Sequence, residues 1–160
     1  MYQRIFVPID GSETSNRGLD EAIKLAKLTG ASLRLVHVVD TLTFATGVEP
    51  YSAYSSDVIP HLIDTGKRIL EEGKTLVQAS GVRVDGLLFD RVASRVADTV
   101  VEQATAWDAE LIVIGTHGRR GVGRFLLGSD AEQIARLSPV PVLLVRAQAV
   151  PESIGSMAQG

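Results

Sequence analysis

Glu110-Leu111-Ile112-Val113-Ile114-Gly115-Thr116-His117-Gly118 is an uninterrupted apolar run that passes directly into a glycine-bearing loop. After nine intervening residues come Gly128 and Ser129. A strand that is apolar on both faces belongs in a parallel sheet covered by helices on both sides. Glycine lets the backbone approach a ligand closely and adopt positive φ. Two glycines at a strand end, then Gly-Ser opening a helix, make a cradle for phosphate. The helix start at Ser129 presents N–H groups and the positive end of a dipole to an anion. The expectation is a nucleotide site on a loop between a buried strand and a short helix.

Working outward, four more apolar runs match this one. Residues 4–9 read as strand one and 32–39 as strand two. Residues 82–89 read as a weaker strand three, interrupted by Asp85 and Gly86, and 111–114 and 140–145 read as strands four and five. Helical spacing fills the intervals. Leu19, Ala22, Ile23 and Ala26 form a stripe whose start Ser12, Thr14 or Ser15 can cap, and whose end suits Gly30. A second helix starts near Asp57, with Val58, Leu62, Ile69, Leu76 and Val77 inward and Gly81 at its end. Val92, Val96, Val100 and Ala104 mark a third, and residues 131–137 a fourth that stops before Pro139.

This alternation predicts a doubly wound five-stranded parallel α/β domain. Ligands of such sheets sit beyond the C-terminal strand ends, where the strand order reverses. The loop Pro8-Ile9-Asp10-Gly11-Ser12 and the loop 115–128 both belong there, so two local signals become one site. The connection 41–56 is long and carries Phe44, Tyr51 and Tyr54. Its length suggests a lid or a subunit contact.

Composition narrows the function. The 160 residues fit one domain, and 45% hydrophobic with 22% charged residues can build a core. A net charge of −3 argues against a nucleic-acid-coating role. There are no cysteines, hence no disulfide, thiol catalysis or cysteine-based zinc site, and three histidines are few for a metal cluster. No export signal or membrane span is expected in the apolar start, so no membrane partner is expected and the cytoplasm is the expected compartment. Residues 147–160 are expected to fray as a tail after a single domain over 1–146.

These residues resemble the universal stress protein family, of its nucleotide-binding type. The resemblance rests on Arg4-Ile5-Phe6-Val7-Pro8-Ile9-Asp10-Gly11-Ser12, on Val36-His37-Val38, on Ala109 through Gly118, on Leu127-Gly128-Ser129, and on Ser138 through Arg146. The family's ATP-binding pattern is Gly, two residues, Gly, nine residues, Gly, then Ser or Thr, and Gly115, Gly118, Gly128 and Ser129 satisfy it. The resemblance implies a Rossmann-like fold of the adenine nucleotide alpha hydrolase-like type, with strand order 3-2-1-4-5. It implies a homodimer pairing through strand five, whose residues are Val142, Leu143, Leu144 and Val145. It also implies that Pro8 and Val38 line the adenine, with Val38 offering backbone hydrogen bonds. Asp10 matches a residue beside ribose and phosphates, and Gly115, Gly118, Gly128 and Ser129 match the ribose–phosphate cradle. ATP, or AMP or another adenine nucleotide, is the implied ligand. Asp130 departs from the family, whose ATP-binding members commonly carry a small or apolar residue there. Either it repels phosphate unless Mg²⁺ or arginine compensates, or it is an acid favoured in a first helical turn.

Other residues carry open alternatives. Asp10 is a helix cap, a ribose contact or a metal ligand through water. Arg119, Arg120 and Arg124 are a solvated face or a mobile basic loop that neutralises phosphate. His117 faces the phosphates or is a plain loop residue, since no oriented catalytic partner is evident. His37 reads as a strand-end residue, His61 as a helix-surface residue, and Trp107 as packed on the sheet edge. The loop does not match Gly-x4-Gly-Lys-Ser/Thr, and strand one is not followed by Gly-x-Gly-x-x-Gly, which argues against a Walker-type motor or GTPase and against a dinucleotide dehydrogenase. The favoured reading is an ATP-binding stress sensor or signalling dimer with slow or absent turnover. Any hydrolysis or autophosphorylation would use Mg²⁺ near Asp10 and the Ser129 hydroxyl. The rivals are an adaptor of the same fold that contacts an unidentified protein, and an ATP-using enzyme with a second pocket under Phe44, Tyr51 and Tyr54.

Overall fold

The computed structural model describes residues 1–41, 57–91, 94–116 and 127–146. Their elements alternate: β1 (Arg4–Pro8), α1 (Glu13–Thr29), β2 (Ser32–Asp40), α2 (Val58–Ala79), β3 (Val84–Arg91), α3 (Val96–Ala106), β4 (Leu111–Gly115), α4 (Ser129–Leu137) and β5 (Val142–Val145). The five strands form one parallel sheet in the order β3-β2-β1-β4-β5. The chain winds outward from β1 to β3, then crosses to β4 and winds outward the other way. Right-handed crossovers then place α1 and α2 on one face and α3 and α4 on the other.

The core follows that division. Ile5, Val7 and Ile9 point to the α1/α2 face, where Leu19, Ala22, Ile23, Ala26, Ile69, Leu70 and Val77 cover them. Phe6, Val36, Ile112 and Ile114 point to the other face, against Ala97, Val100, Ala104, Ala131 and Ile134. All five residues of β4 are buried, as its unbroken apolar run requires. Ser12 caps α1 by accepting from the Ser15 N–H, and Gly30 closes it at φ 75° with its N–H on Ala26 O.

Several sequence expectations needed correction. Strand three is not interrupted: β3 runs through Asp85 and Gly86. Asp85 faces water and takes a two-pronged ion pair from Arg34, with Nε to Oδ1 at 2.8 Å and Nη2 to Oδ2 at 2.6 Å. That bond holds the Arg34 guanidinium even further above its usual range. A Cβ at Gly86 would stand 3.0 Å from Lys74 Cδ, so this glycine seats the Lys74 stem of α2. Leu76 is not part of the buried stripe of α2 and is 48% exposed; Gly66, Ile69, Leu70, Gly73 and Val77 face the sheet instead. Trp107 does not cover a sheet edge. Its ring lies 6.3 Å from that of Phe6 in β1 and under the Arg34 guanidinium of β2 at 4.6 Å, so it closes the middle of the sheet. Strand five starts at Val142, because Ser138 Oγ and Val140 fold the preceding residues into a turn. Val92 lies outside the described residues, and so does the 42–56 connection with Phe44, Tyr51 and Tyr54.

Candidate functional site

The sheet reverses its winding between β1 and β4, and the candidate site is built where these strands end. In β1 the even residues turn their backbone toward β4: Arg4 O accepts the Glu110 N–H at 2.9 Å. Pro8 stands in that series without an N–H to give. The registered β1–β4 pairs are Ile5↔Leu111 and Phe6↔Ile112, whereas β4 continues beside β5 as far as Gly115↔Val145. The rungs between β1 and β4 thus end before those between β4 and β5, at the switch point where sheets of this kind take ligands.

Val38 lies at the same end of the sheet, on the β2 side of β1. The Ser32 N–H donates to Gln3 O beside β1, and the Leu33 N–H donates to Arg83 O beside β3. Alternation along β2 turns the Val38 N–H and C=O the way Ser32 points, past the last residue of β1. The half-buried Val38 side chain packs on the α3/α4 face. Pro8 and Val38 are thus brought to one end of the sheet, on either side of the β1 terminus.

The loop after β1 is tied to α1. Asp10 Oδ1 accepts the Ser12 N–H at 2.8 Å, and the Asp10 N–H donates to Ser15 Oγ at 3.0 Å. Gly11 takes φ 77°, which suits this tight turn. Ser12, not Asp10, is the helix cap; Asp10 is half-buried and fixes the turn that precedes it. Among the described residues no three His, Cys, Asp or Glu side chains cluster as a metal site. A magnesium ion that arrives on nucleotide phosphates needs only one or two protein carboxylates, and Asp10 is of the right chemistry.

Gly115 has a structural reason to be glycine. A Cβ there would stand 2.5 Å from Thr14 O and 2.6 Å from Thr14 C, both backbone atoms of α1. Gly18 completes the contact from the helix side, with its own Cβ position 3.1 Å from Gly115 N. The first turn of α1 thus lies directly on the end of β4.

The following residue, Thr116, is 3% exposed and joins three segments. Its N–H donates to Val145 O at 2.9 Å, and its carbonyl accepts the Gly128 N–H at 2.6 Å. Thr116 therefore ties the end of β4 to β5 and to the start of α4. The sequence singled out the glycines around Thr116 and missed Thr116 itself.

Helix α4 starts at Ser129, as expected and ahead of the 131–137 span, and Gly128, with φ −58° and ψ 146°, is its N-cap. The Gly128 N–H is already engaged by Thr116, so the helix-start amides are those of Ser129, Asp130 and Ala131, before the first helical bond from Glu132 N–H to Gly128 O. Ser129 and Asp130 are both exposed. Asp130 lies in the first turn, where the helix dipole favours an acid. His117, Gly118, Arg119, Arg120 and Arg124 lie outside the described residues.

His37 is buried, with Nδ1 2.8 Å from Ile9 O. His61 is exposed on α2, as expected. At the opposite end of the sheet, a cavity of about 260 Å³ lies between Gly30 and Gly81, the residues that follow α1 and α2. Helix C-termini repel anions, so that end is unsuited to phosphate.

Comparison with known proteins agrees with the fold. A family model for the universal stress protein family matches residues 1–146. Universal stress protein MJ0531 of Methanocaldococcus jannaschii is 33% identical over 147 residues, covering 91% of this chain and 83% of the relative. Among solved structures, protein MJ0577 superposes with TM-score 0.78 at 26% identity, over 93% of this chain and 99% of that one. A universal stress protein solved in complex with cAMP superposes with TM-score 0.62 at 27% identity, over 91% and 97%.

Proposed function

The chain belongs to the universal stress protein family, and we propose from that membership that it binds an adenine nucleotide at the C-terminal end of β1. ATP is the favoured ligand, with AMP or a cyclic form as the alternatives that place less charge near Asp130. The observation that carries this reading is the Val38 backbone edge turned past the end of β1 beside Pro8, in a chain 27% identical to a universal stress protein solved with cAMP. Adenine offers an acceptor at N1 and a donor at N6, which complement one N–H and one C=O of an extended backbone. Asp10 sits beside the ribose and reaches Mg²⁺ through water. Gly118, Gly128 and Ser129 cradle the phosphates, with Gly115 closing the floor, and His117, Arg119 and Arg120 supply the phosphate-facing loop.

The protein acts on this reading as a cytoplasmic stress sensor, with bound nucleotide ordering the Arg-rich loop and altering a surface that a partner protein reads. Two copies pair through β5, the sheet edge where Leu143 and Leu144 are 38% and 36% exposed. Turnover is slow or absent. An adaptor reading has one observation in its favour: the Gly128 amide, a candidate phosphate donor, is already taken by Thr116. Denaturing the purified protein and weighing what it releases by mass spectrometry separates the two. Released adenine nucleotide supports the site; none released, and none taken up on incubation with ATP, favours the adaptor.

A further inference from the structure

The structure assigns to His37 the role of a positioning residue that ends the β1–β2 ladder and keeps the Val38 amide edge available for adenine. This assignment rests on the nucleotide reading above, and it concerns a side chain on the opposite face of the sheet from Val38. Along β1 the odd residues turn their backbone to β2, and the last described rung is the Ile9 N–H on Val36 O at 2.8 Å. In a regular parallel ladder the next rung would run from the Val38 N–H to Ile9 O. Ile9 O instead lies 2.8 Å from His37 Nδ1. A carbonyl only accepts, so Nδ1 carries the proton and donates it.

The imidazole is held in that position by packing. A Cβ at Gly66 would stand 2.6 Å from His37 Cδ2 and 3.1 Å from Nε2, so the backbone of α2 lies against the ring. The ring is wedged between α2 and the end of β1. Pro8 releases the β1 terminus toward β4 by lacking an amide, and toward β2 the Ile9 carbonyl is held by His37 and not by the Val38 N–H. Both sides of one strand end are thus cleared, by two residues with different chemistry.

The consequence is discrimination of the base. In the pose in which the N–H meets N1 and the C=O meets N6 of adenine, hypoxanthine sets its N1 donor against the N–H and its O6 acceptor against the C=O, so that pose favours adenine. Two variants separate positioning from packing. Asparagine at 37 keeps an N–H close to the Nδ1 position, whereas leucine fills the space without a donor. His37→Leu is expected to weaken ATP binding at least tenfold and to bring the ATP-to-ITP affinity ratio toward one; His37→Asn is expected to keep that ratio. Hydrogen exchange of the Val38 amide without nucleotide should slow at least tenfold in His37→Leu, as the extra rung forms, and stay fast in the wild type and His37→Asn.

An unchanged Val38 exchange rate in a folded His37→Leu protein overturns the assignment whatever the nucleotides do. Equal loss of affinity in both variants, in step with their thermal stability, also overturns it and leaves His37 a packing residue. A wild-type protein that binds neither ATP nor ITP overturns the nucleotide reading and the base-recognition part of the assignment with it, while the exchange rates still decide whether His37 stops the ladder.

Discussion

Gly115 and Gly118 belong to one motif, yet the surroundings of Gly115 assign it to the fold. A methyl group at 115 would meet the backbone of Thr14 at 2.5 Å, and neither β4 nor α1 can give way without repacking. Gly115→Ala should therefore destabilise the protein by about 1–3 kcal/mol, read as a lower urea midpoint at unchanged slope. Gly118→Val should instead abolish nucleotide binding with little change in that midpoint; unchanged affinity would remove the cradle from this loop. Spacing in a sequence shows that a side chain is excluded but not what excludes it, so the motif was legible and the α1 contact was not. Thr116 and His37 were harder still. Their roles depend on which backbone carbonyl each meets, and that follows only once strand register is fixed.

At the level of elements, the stripe of α1 and the buried run of β4 were readable because one burial pattern dictates each. The stripe of α2 was read partly wrong. Gly66 and Gly73 approach the sheet there through missing side chains, which a search for apolar residues passes over, while Leu76 faces water. β3 was read as broken because Asp85 and Gly86 look like a turn, when one pairs with Arg34 and the other seats Lys74. Ser12→Ala should cost about 1 kcal/mol of stability through loss of the α1 cap, measured by denaturant unfolding. At α4 the exposed Asp130 is expected to weaken triphosphate binding by about 1 kcal/mol or less, as a solvent-screened like charge. Asp130→Val should accordingly tighten ATP a few-fold, with the gain fading as salt is raised. Weaker binding in this variant would make Asp130 a metal or first-turn partner instead.

For the molecule as a whole, the doubly wound parallel class follows from the alternation of elements, whereas the strand order, which periodicity left open, came from the family resemblance. Association is where the sheet has an unsatisfied edge. Leu144→Lys on β5 should convert a dimer to a monomer in sedimentation velocity, since a charge on an edge strand opposes pairing. A dimer that survives this change pairs elsewhere. Calorimetric titration of ATP into the purified protein, with and without Mg²⁺, tests the nucleotide site itself. Saturable heat at micromolar ATP with one site per chain is the predicted result; no heat from ATP, AMP or cAMP under either condition would contradict it.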